Sequence, residues 1–197
     1  MWFVGQKGDY LARFDPGDGS FTRVDLEPET GPHKLVVDGG GNVWFAGNRK
    51  GFIGRYDPAS DEIAMFAMPD RAACDLHKLI FDGDGALWFT VQGGNFVGRL
   101  DPAPEAIDLI AVPMRGARPY GTAFVPDETP WVALFGTSKL TSLDPRTLAL
   151  REHPLPRSEA RPRRSGVTSD GQGWYVDHRA GFVGALTPAT GAIAEYR

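Results

Sequence analysis

The chain lacks most of the features that would place it in a common functional class. Its single cysteine, Cys74, rules out a disulfide within the chain. No apolar run approaches the roughly 20 residues that a membrane-spanning helix needs. There is no GxSxG, P-loop, HExxH or paired-cysteine motif. The net charge of -4 comes from charges scattered along the chain, which disfavours nucleic-acid binding. Any catalytic chemistry must therefore come from residues that are distant in sequence, with neither a membrane nor a nucleic acid as partner.

Tryptophan, in contrast, recurs at a nearly constant interval through the whole sequence. Successive tryptophans stand 42, 44, 43 and 43 residues apart, at Trp2, Trp44, Trp88, Trp131 and Trp174. A period of roughly 40 to 45 residues made of short apolar runs and turns is typical of a β-propeller with four-stranded blades. Each unit is broken by Gly, Asp, Asn and Pro and none keeps a 3.6-residue period, which disfavours helical repeats of similar length.

The unit at 31–70 shows the plan of one blade. Its four strand-like runs read HKLVVD, VWFAGN, FIGRYDP and EIAMFAMP. Proline cannot donate to a strand ladder, so the recurring Asp-Pro is expected to end the third strand. The sequence predicts one all-β domain over 1–197, an antiparallel propeller with a partial blade at 1–30. Complete four-stranded blades are predicted at about 31–70, 73–113, 118–156 and 162–197.

The first unit contains only three strand-like runs, so residue 1 falls inside a blade. We expect a shortened reading frame and open blade faces through which the chain can self-associate. The lack of disulfides suits a cytoplasmic protein. Loss of a signal peptide with the N-terminus would instead indicate a secreted or periplasmic one, so the sequence leaves the compartment open.

The repeat register locates a candidate ligand site, because the innermost strands of a propeller line its central channel. Eleven residues before successive tryptophans stand His33, His77, Tyr120 and Arg163. Two residues earlier stand Gly31, Asp75, Arg118 and Arg161. We predict that these polar side chains surround the channel mouth. The alternative for the histidines is a structural one, in which they hydrogen-bond the backbone of a neighbouring blade.

Two further polar segments are expected at the surface. The arginine-rich run at 157–164 is predicted to be a solvated loop between blades, with an anion or partner site as the alternative. The hairpin that carries Asp177 and His178 is also expected to be exposed.

Two units carry a specific resemblance. The segments GPHKLVVDGGGNVWFAGNRKGFIGRYDP and DLHKLIFDGDGALWFTVQGGNFVGRLDP resemble the repeats of the virginiamycin B lyase (streptogramin lyase) family of seven-bladed propellers. The resemblance covers nearly the whole chain. It implies that four complete blades and three strands of a fifth form an incomplete version of the seven-bladed ring.

The resemblance also implies roles for particular residues. In that family, a histidine that opens one blade works with a Glu-x-His that opens the next, and a further glutamate follows the Trp-Phe strand. The two glutamates hold Mg²⁺ and a histidine is the base. On this chain the matching catalytic residues are His33 and His77, and the metal positions are Asp75 and Gln92. Gln92 is a neutral amide where the family has an acid.

The implied activity is that of a Mg²⁺-dependent carbon–oxygen lyase, which opens the lactone of a cyclic depsipeptide (a streptogramin B antibiotic) by elimination. Tyr120 and Arg163 are then expected to contact this small-molecule ligand at the channel mouth. Two alternatives stay open, a non-catalytic propeller that binds a ligand or a protein, and a lactone hydrolase of the gluconolactonase type.

Overall fold

A computed structural model describes all residues, 1–197, and consists of antiparallel β-sheets without helices. Nineteen strands form five sheets, the first with three strands and the others with four. No helix is present that could cross a membrane by its length and apolar character. The all-β propeller prediction, with one three-stranded blade followed by four complete ones, is confirmed.

The strands follow one another through the sheets in chain order. The first sheet contains β1 (Trp2–Gly5), β2 (Tyr10–Phe14) and β3 (Phe21–Asp25). The second contains β4 (Pro32–Val37), β5 (Val43–Gly47), β6 (Phe52–Asp57) and β7 (Glu62–Ala67). The third contains β8 (Leu76–Phe81), β9 (Leu87–Val91), β10 (Phe96–Asp101) and β11 (Ala106–Ala111). The fourth contains β12 (Pro119–Phe124), β13 (Pro130–Leu134), β14 (Lys139–Leu143) and β15 (Leu150–Pro154). The fifth contains β16 (Pro162–Val167), β17 (Gly173–Asp177), β18 (Val183–Thr187) and β19 (Ala192–Tyr196).

The recurring tryptophans pack each sheet against the next one. Trp44 is buried in one cluster with Leu76 and Leu79 of the third sheet. Its ring meets the edge of Phe81 at a centroid distance of 5.9 Å. The indole Nε1 donates a 2.8 Å hydrogen bond to the Asp38 carboxylate, so the polar end of the ring is satisfied as well. Such rings bury much apolar area and fix the spacing of neighbouring sheets.

The residue after each of three tryptophans faces the preceding sheet and lies over a glycine. Phe45 is fully buried and belongs to a cluster with Leu11 of the first sheet. The glycine pairs directly with the aromatic residue across the ladder, in the pairs Phe45–Gly54, Phe89–Gly98 and Tyr175–Gly184. The ring occupies the space that a Cβ at the glycine would take.

The five sheets form an open arc. No hydrogen bond, ion pair or aromatic contact joins the fifth sheet to the first. At the two ends, Phe21 is 67% exposed and Tyr196 is 55% exposed. Self-association through these end faces stays a prediction.

The hairpin of Asp177 and His178 was expected to be exposed, which is correct for His178 but wrong for Asp177. The Asp177 side chain is fully buried, and Arg157 Nη2 donates to its Oδ2 at 2.6 Å. Arg157 also pairs with Glu195, at 2.8 Å from Nε to Oε2. Burial opposes ionisation of Asp177, but hydrogen bonds from Arg157 and from two backbone N–H groups outweigh it and lower the pKa of the carboxyl. This network fastens the loop before β16 to the fifth sheet.

Replacing a glycine beneath an aromatic ring is expected to destabilise the fold. Gly98→Ala places a methyl group where the Phe89 ring lies, and such overpacking costs about 1–3 kcal/mol. Urea unfolding followed by tryptophan fluorescence measures the change. The matched control is Gly166→Ala in β16, where a Cβ meets nothing within 4 Å. We expect that variant to be unchanged or slightly more stable, and equal losses in both variants would contradict the packing argument.

Removing Arg157 is expected to destabilise the protein most at neutral pH. Arg157→Met leaves two buried carboxylates unpaired, at a cost of about 3 kcal/mol. The pKa of Asp177 in the folded protein lies below its ordinary value of 3.8. The ionised carboxylate therefore stabilises the fold at pH values above 3.8, and this stabilisation disappears as the pH falls through the folded-state pKa. The difference between the two proteins in urea unfolding should therefore shrink between pH 7 and about pH 3.

The control for this comparison is Arg23→Met. Arg23 pairs with Asp25 through side chains that are 56% and 72% exposed, so its loss should cost less than about 1 kcal/mol. A deficit of Arg157→Met that is equally large at both pH values would contradict the role assigned to Asp177.

Candidate functional site

The strand pairing of each innermost strand is interrupted near its start, and the candidate site lies at these interruptions. The register shifts between Pro32 and Leu35 in β4 and between Leu76 and Leu79 in β8. Equivalent shifts occur near the starts of β12 and β16. Such bulges redirect side chains that a regular strand would send to alternate faces. As a result, the consecutive residues His33 and Lys34 both line one cavity between the innermost strands.

The structure brings the four residues of the predicted ring into one chain of contacts. The rings of His33 and His77 meet edge to face with centroids 4.4 Å apart. His77 stacks on Tyr120, also at 4.4 Å. The Tyr120 hydroxyl accepts a 3.2 Å hydrogen bond from Nη2 of Arg163. His33, His77 and Tyr120 also line one cavity, and the roles of the four residues toward a ligand stay predictions.

Both histidines are set up to be uncharged near neutral pH. Burial lowers the pKa of His33, against the raising effects of a backbone hydrogen bond at His77 and of the Asp75 carboxylate, and the nearby Arg164 and Lys34 lower it further. Burial and the neighbouring His33 lower the pKa of His77 to about 4, against the opposing effect of the Asp75 carboxylate. A neutral imidazole can accept a proton. The pair therefore offers proton acceptors at the wall of a cavity.

Asp75 is held beside His77 by an unusual backbone conformation. Its φ of 65° lies in the left-handed region, where Asp is tolerated better than most residues. The backbone N–H of Asp75 donates to the carbonyl of Asn48 at 3.0 Å, and the N–H of Gln92 donates to the carbonyl of Asp75 at 2.9 Å. The carboxylate Oδ1 lies 3.0 Å from Nε2 of His77.

Gln92, the second expected metal position, is engaged by an arginine. A guanidinium can only donate hydrogen bonds, so the buried Gln92 amide is assigned with its oxygen toward Arg118, which then donates from Nε at 3.0 Å and from Nη2 at 2.7 Å. The amide nitrogen lies 2.8 Å from Nε2 of His77. The only carboxylate at the two expected metal positions is Asp75, and no group of three or more His, Cys, Asp or Glu residues suited to a metal ion occurs in the chain.

These residues are a poor fit to Mg²⁺, which prefers carboxylate oxygens and retained waters. The Gln92 oxygen already accepts hydrogen bonds from the guanidinium of Arg118. The positive charge of this guanidinium would repel a metal cation at the same position. Magnesium binding stays a prediction from the resemblance, and the chemistry proposed below uses no metal.

Several site residues were not predicted. Lys34 and Lys78 each follow a histidine of the pair, but strict alternation along a strand would have sent them away from the cavity. Thr90 accepts a 3.1 Å hydrogen bond from the freed N–H of Lys78 and donates one of 2.7 Å to the carbonyl of Tyr120. The signal available in the sequence was the repeated His-Lys pair, since the same two residues occur at the same place in two units.

The arginine-rich run was expected to be a solvated loop, and this is wrong at both of its ends. Arg157 is paired with Asp177 and Glu195, and Arg163 and Arg164 lie in β16, where the exposed Arg164 lines the same cavity as the histidines. Gly121 of β12 makes this possible. A Cβ there would lie 2.5 Å from the carbonyl oxygen of Arg163, so the absence of a side chain lets the two innermost strands approach closely.

Comparison with known proteins identifies a family and a fold. The model of the virginiamycin B lyase family matches residues 1–197. No curated protein matches the sequence. The crystal structure of virginiamycin B lyase from Staphylococcus aureus superposes with a TM-score of 0.91 and 22% identity, covering 100% of this chain and 65% of that one.

Two other solved structures are similar. A catalytically inactive histidine-to-alanine variant of the Staphylococcus aureus lyase, with quinupristin, gives a TM-score of 0.89 and 22% identity over 99% of this chain and 65% of that one. A putative gluconolactonase gives a TM-score of 0.70 and 16% identity over 98% of this chain and 72% of that one. At these identities the structures share the fold alone. The chain spans 65% of the length of the Staphylococcus aureus lyase.

The poor fit to Mg²⁺ predicts the outcome of a titration. We expect isothermal titration calorimetry of Mg²⁺ into the chain to show no saturable heat. The double variant Gln92→Glu/Arg118→Ser adds a carboxylate and removes the competing cation, and it should gain saturable binding. Saturable binding in the unmodified chain that disappears in Asp75→Ala would contradict our interpretation and support the role that the resemblance implies.

Proposed function

Because the chain belongs to the virginiamycin B lyase family, we propose that it is a carbon–oxygen lyase that opens the lactone ester of a cyclic peptide by elimination. The observation that carries this proposal is the pair of histidines, His33 and His77, whose rings are 4.4 Å apart at the wall of the channel cavity. Two uncharged imidazoles beside a cavity suit a reaction whose main demand is proton transfer.

His33 is the better placed of the two to accept a proton from a substrate. The Nδ1 atoms of both rings are buried without a hydrogen-bond partner, which leaves Nε2 of His33 as the ring nitrogen available to meet a substrate. Nε2 of His77 faces the Asp75 carboxylate at 3.0 Å and the Gln92 amide at 2.8 Å. A general base needs an accessible lone pair within hydrogen-bond reach of the proton. We therefore assign the base role to Nε2 of His33.

His77 acts in this proposal as the second member of the pair. Asp75 and Tyr120 fix its ring, one by the contact to Nε2 and the other by stacking at 4.4 Å. The edge-to-face contact then fixes the orientation of His33. The negative charge of Asp75 also favours the protonated form of His33, which is the form that arises when the proton is taken.

The elimination conserves atoms and electrons within the substrate and the base. Nε2 of His33 takes the proton from the carbon next to a carbonyl. The electron pair of that C–H bond forms the new C=C bond, and the ester C–O bond breaks with its electrons on a departing carboxylate. The proton remains on His33 until solvent removes it. No water is added, so the ring opens without a change in mass.

A non-catalytic ligand-binding propeller is the second candidate, and one observation favours it. Gln92 is a neutral amide where the resemblance places an acid, and its oxygen is engaged by Arg118. Hydrolysis of a lactone has support only from the shared fold of the gluconolactonase structure. Elimination, hydrolysis and non-catalytic binding can be told apart by the product that is formed from the lactone, if any.

Incubation with a streptogramin B lactone such as quinupristin, followed by mass spectrometry, distinguishes them. We expect a linear product of unchanged mass with the absorbance of a new C=C bond. His33→Gln should slow its formation at least about 100-fold, as expected for loss of a general base. The control is His178→Gln, an exposed histidine outside the pair, which should retain full activity.

Each other outcome contradicts the proposal in a specific way. A product heavier by one water indicates hydrolysis. Binding of the lactone without a product indicates the non-catalytic propeller. Full activity of His33→Gln shows that the base is elsewhere.

A further inference from the structure

The cavity beside the histidines is surrounded by positive charge. It has a volume of about 260 Å³ and lies between the innermost strands of the second to fifth sheets. Three cationic side chains line it, Lys34 from β4, Lys78 from β8 and Arg164 from β16. They come from three different blades, so the fold brings them together rather than the local sequence.

No carboxylate of the protein balances these charges. None of the three takes part in an ion pair, although the chain forms eight others between its acidic and basic side chains or histidine. Burial lowers the pKa of Lys78, and Lys34 and Arg164 lower it further, with no acidic group acting in the opposite direction. Lys34 and Lys78 are half-buried and Arg164 is exposed at the edge of the cavity, and like charges placed together in this way repel one another unless an anion lies between them. This concentration of positive charge occurs in a protein whose net charge is -4.

We infer that this cavity is an anion-binding site, in which Lys34, Lys78 and Arg164 hold the phosphate or carboxylate group of a small ligand. Cationic side chains that converge on one point bind such oxyanions through charge-assisted hydrogen bonds. The inference goes beyond the lyase proposal, because a neutral lactone would leave these charges unused. It does not depend on that proposal.

Isothermal titration of inorganic phosphate, and separately of malonate, into the full chain at constant ionic strength tests the site. We expect saturable binding of at least one of the two anions. Lys78→Met should weaken it at least about tenfold, the loss expected for one charge-assisted hydrogen bond. Lys34→Met and Arg164→Gln should have similar effects, which keeps the test decisive where one variant fails to fold by circular dichroism.

The matched control is Lys7→Met. Lys7 is exposed in the first hairpin and forms no ion pair, so the substitution changes the net charge by the same amount outside the cavity. Weakening confined to the cavity variants supports the site, and the relative affinities of phosphate and malonate identify the anion class. Lack of saturable binding of both anions, or equal weakening in Lys7→Met, overturns the inference.

Discussion

The structure depends on the packing of aromatic residues between successive sheets. A four-stranded sheet of this size cannot bury either of its faces by itself, so each one is stable only when seated against its neighbours. Trp44 and Phe45 show the arrangement, since adjacent residues of one strand point to opposite faces and reach the sheets on either side. Because the same pair recurs in most units, the innermost strands are held side by side around a common axis. The polar cavity exists only because of this regular apolar packing.

The second constraint is the interruption of pairing at the start of each innermost strand. A bulge frees backbone groups from the ladder, and these groups need other partners. In β8 the hydroxyl of Thr90 takes this place, accepting from the N–H of Lys78 and donating to the carbonyl of Tyr120 in the next blade. The same interruption turns consecutive side chains into the cavity. Local irregularity thus gives the channel more polar groups than a regular strand could supply.

The sequence allowed the fold to be predicted almost completely, and the site only in part. The tryptophan spacing set the register, and that register was enough to group His33, His77, Tyr120 and Arg163, which contact one another in the structure. It did not predict that Gln92 would be paired with Arg118, because hydrogen bonds between side chains on different strands depend on distances that a repeat does not encode. The burial of Asp177 was missed for a related reason. Its partner, Arg157, lies in a loop whose path is set by tertiary contacts.

The charges of the cavity also bear on the chemistry of the histidines. Burial is the main reason that the pKa of His33 is lowered, but Arg164 and Lys34 contribute in the same direction. An anion held by these two side chains would offset their positive charge and so favour the protonated form of His33. By linkage, protonation of His33 would strengthen the binding of the anion to the same extent. A ligand could place its anionic group beside Lys34 and Arg164 while another part of it contacts the imidazole of His33. Such a ligand would therefore affect the cations and the histidine at once. The single cavity that joins the cations to the histidines gives this coupling a physical basis, whether or not the anion is part of the molecule that reacts.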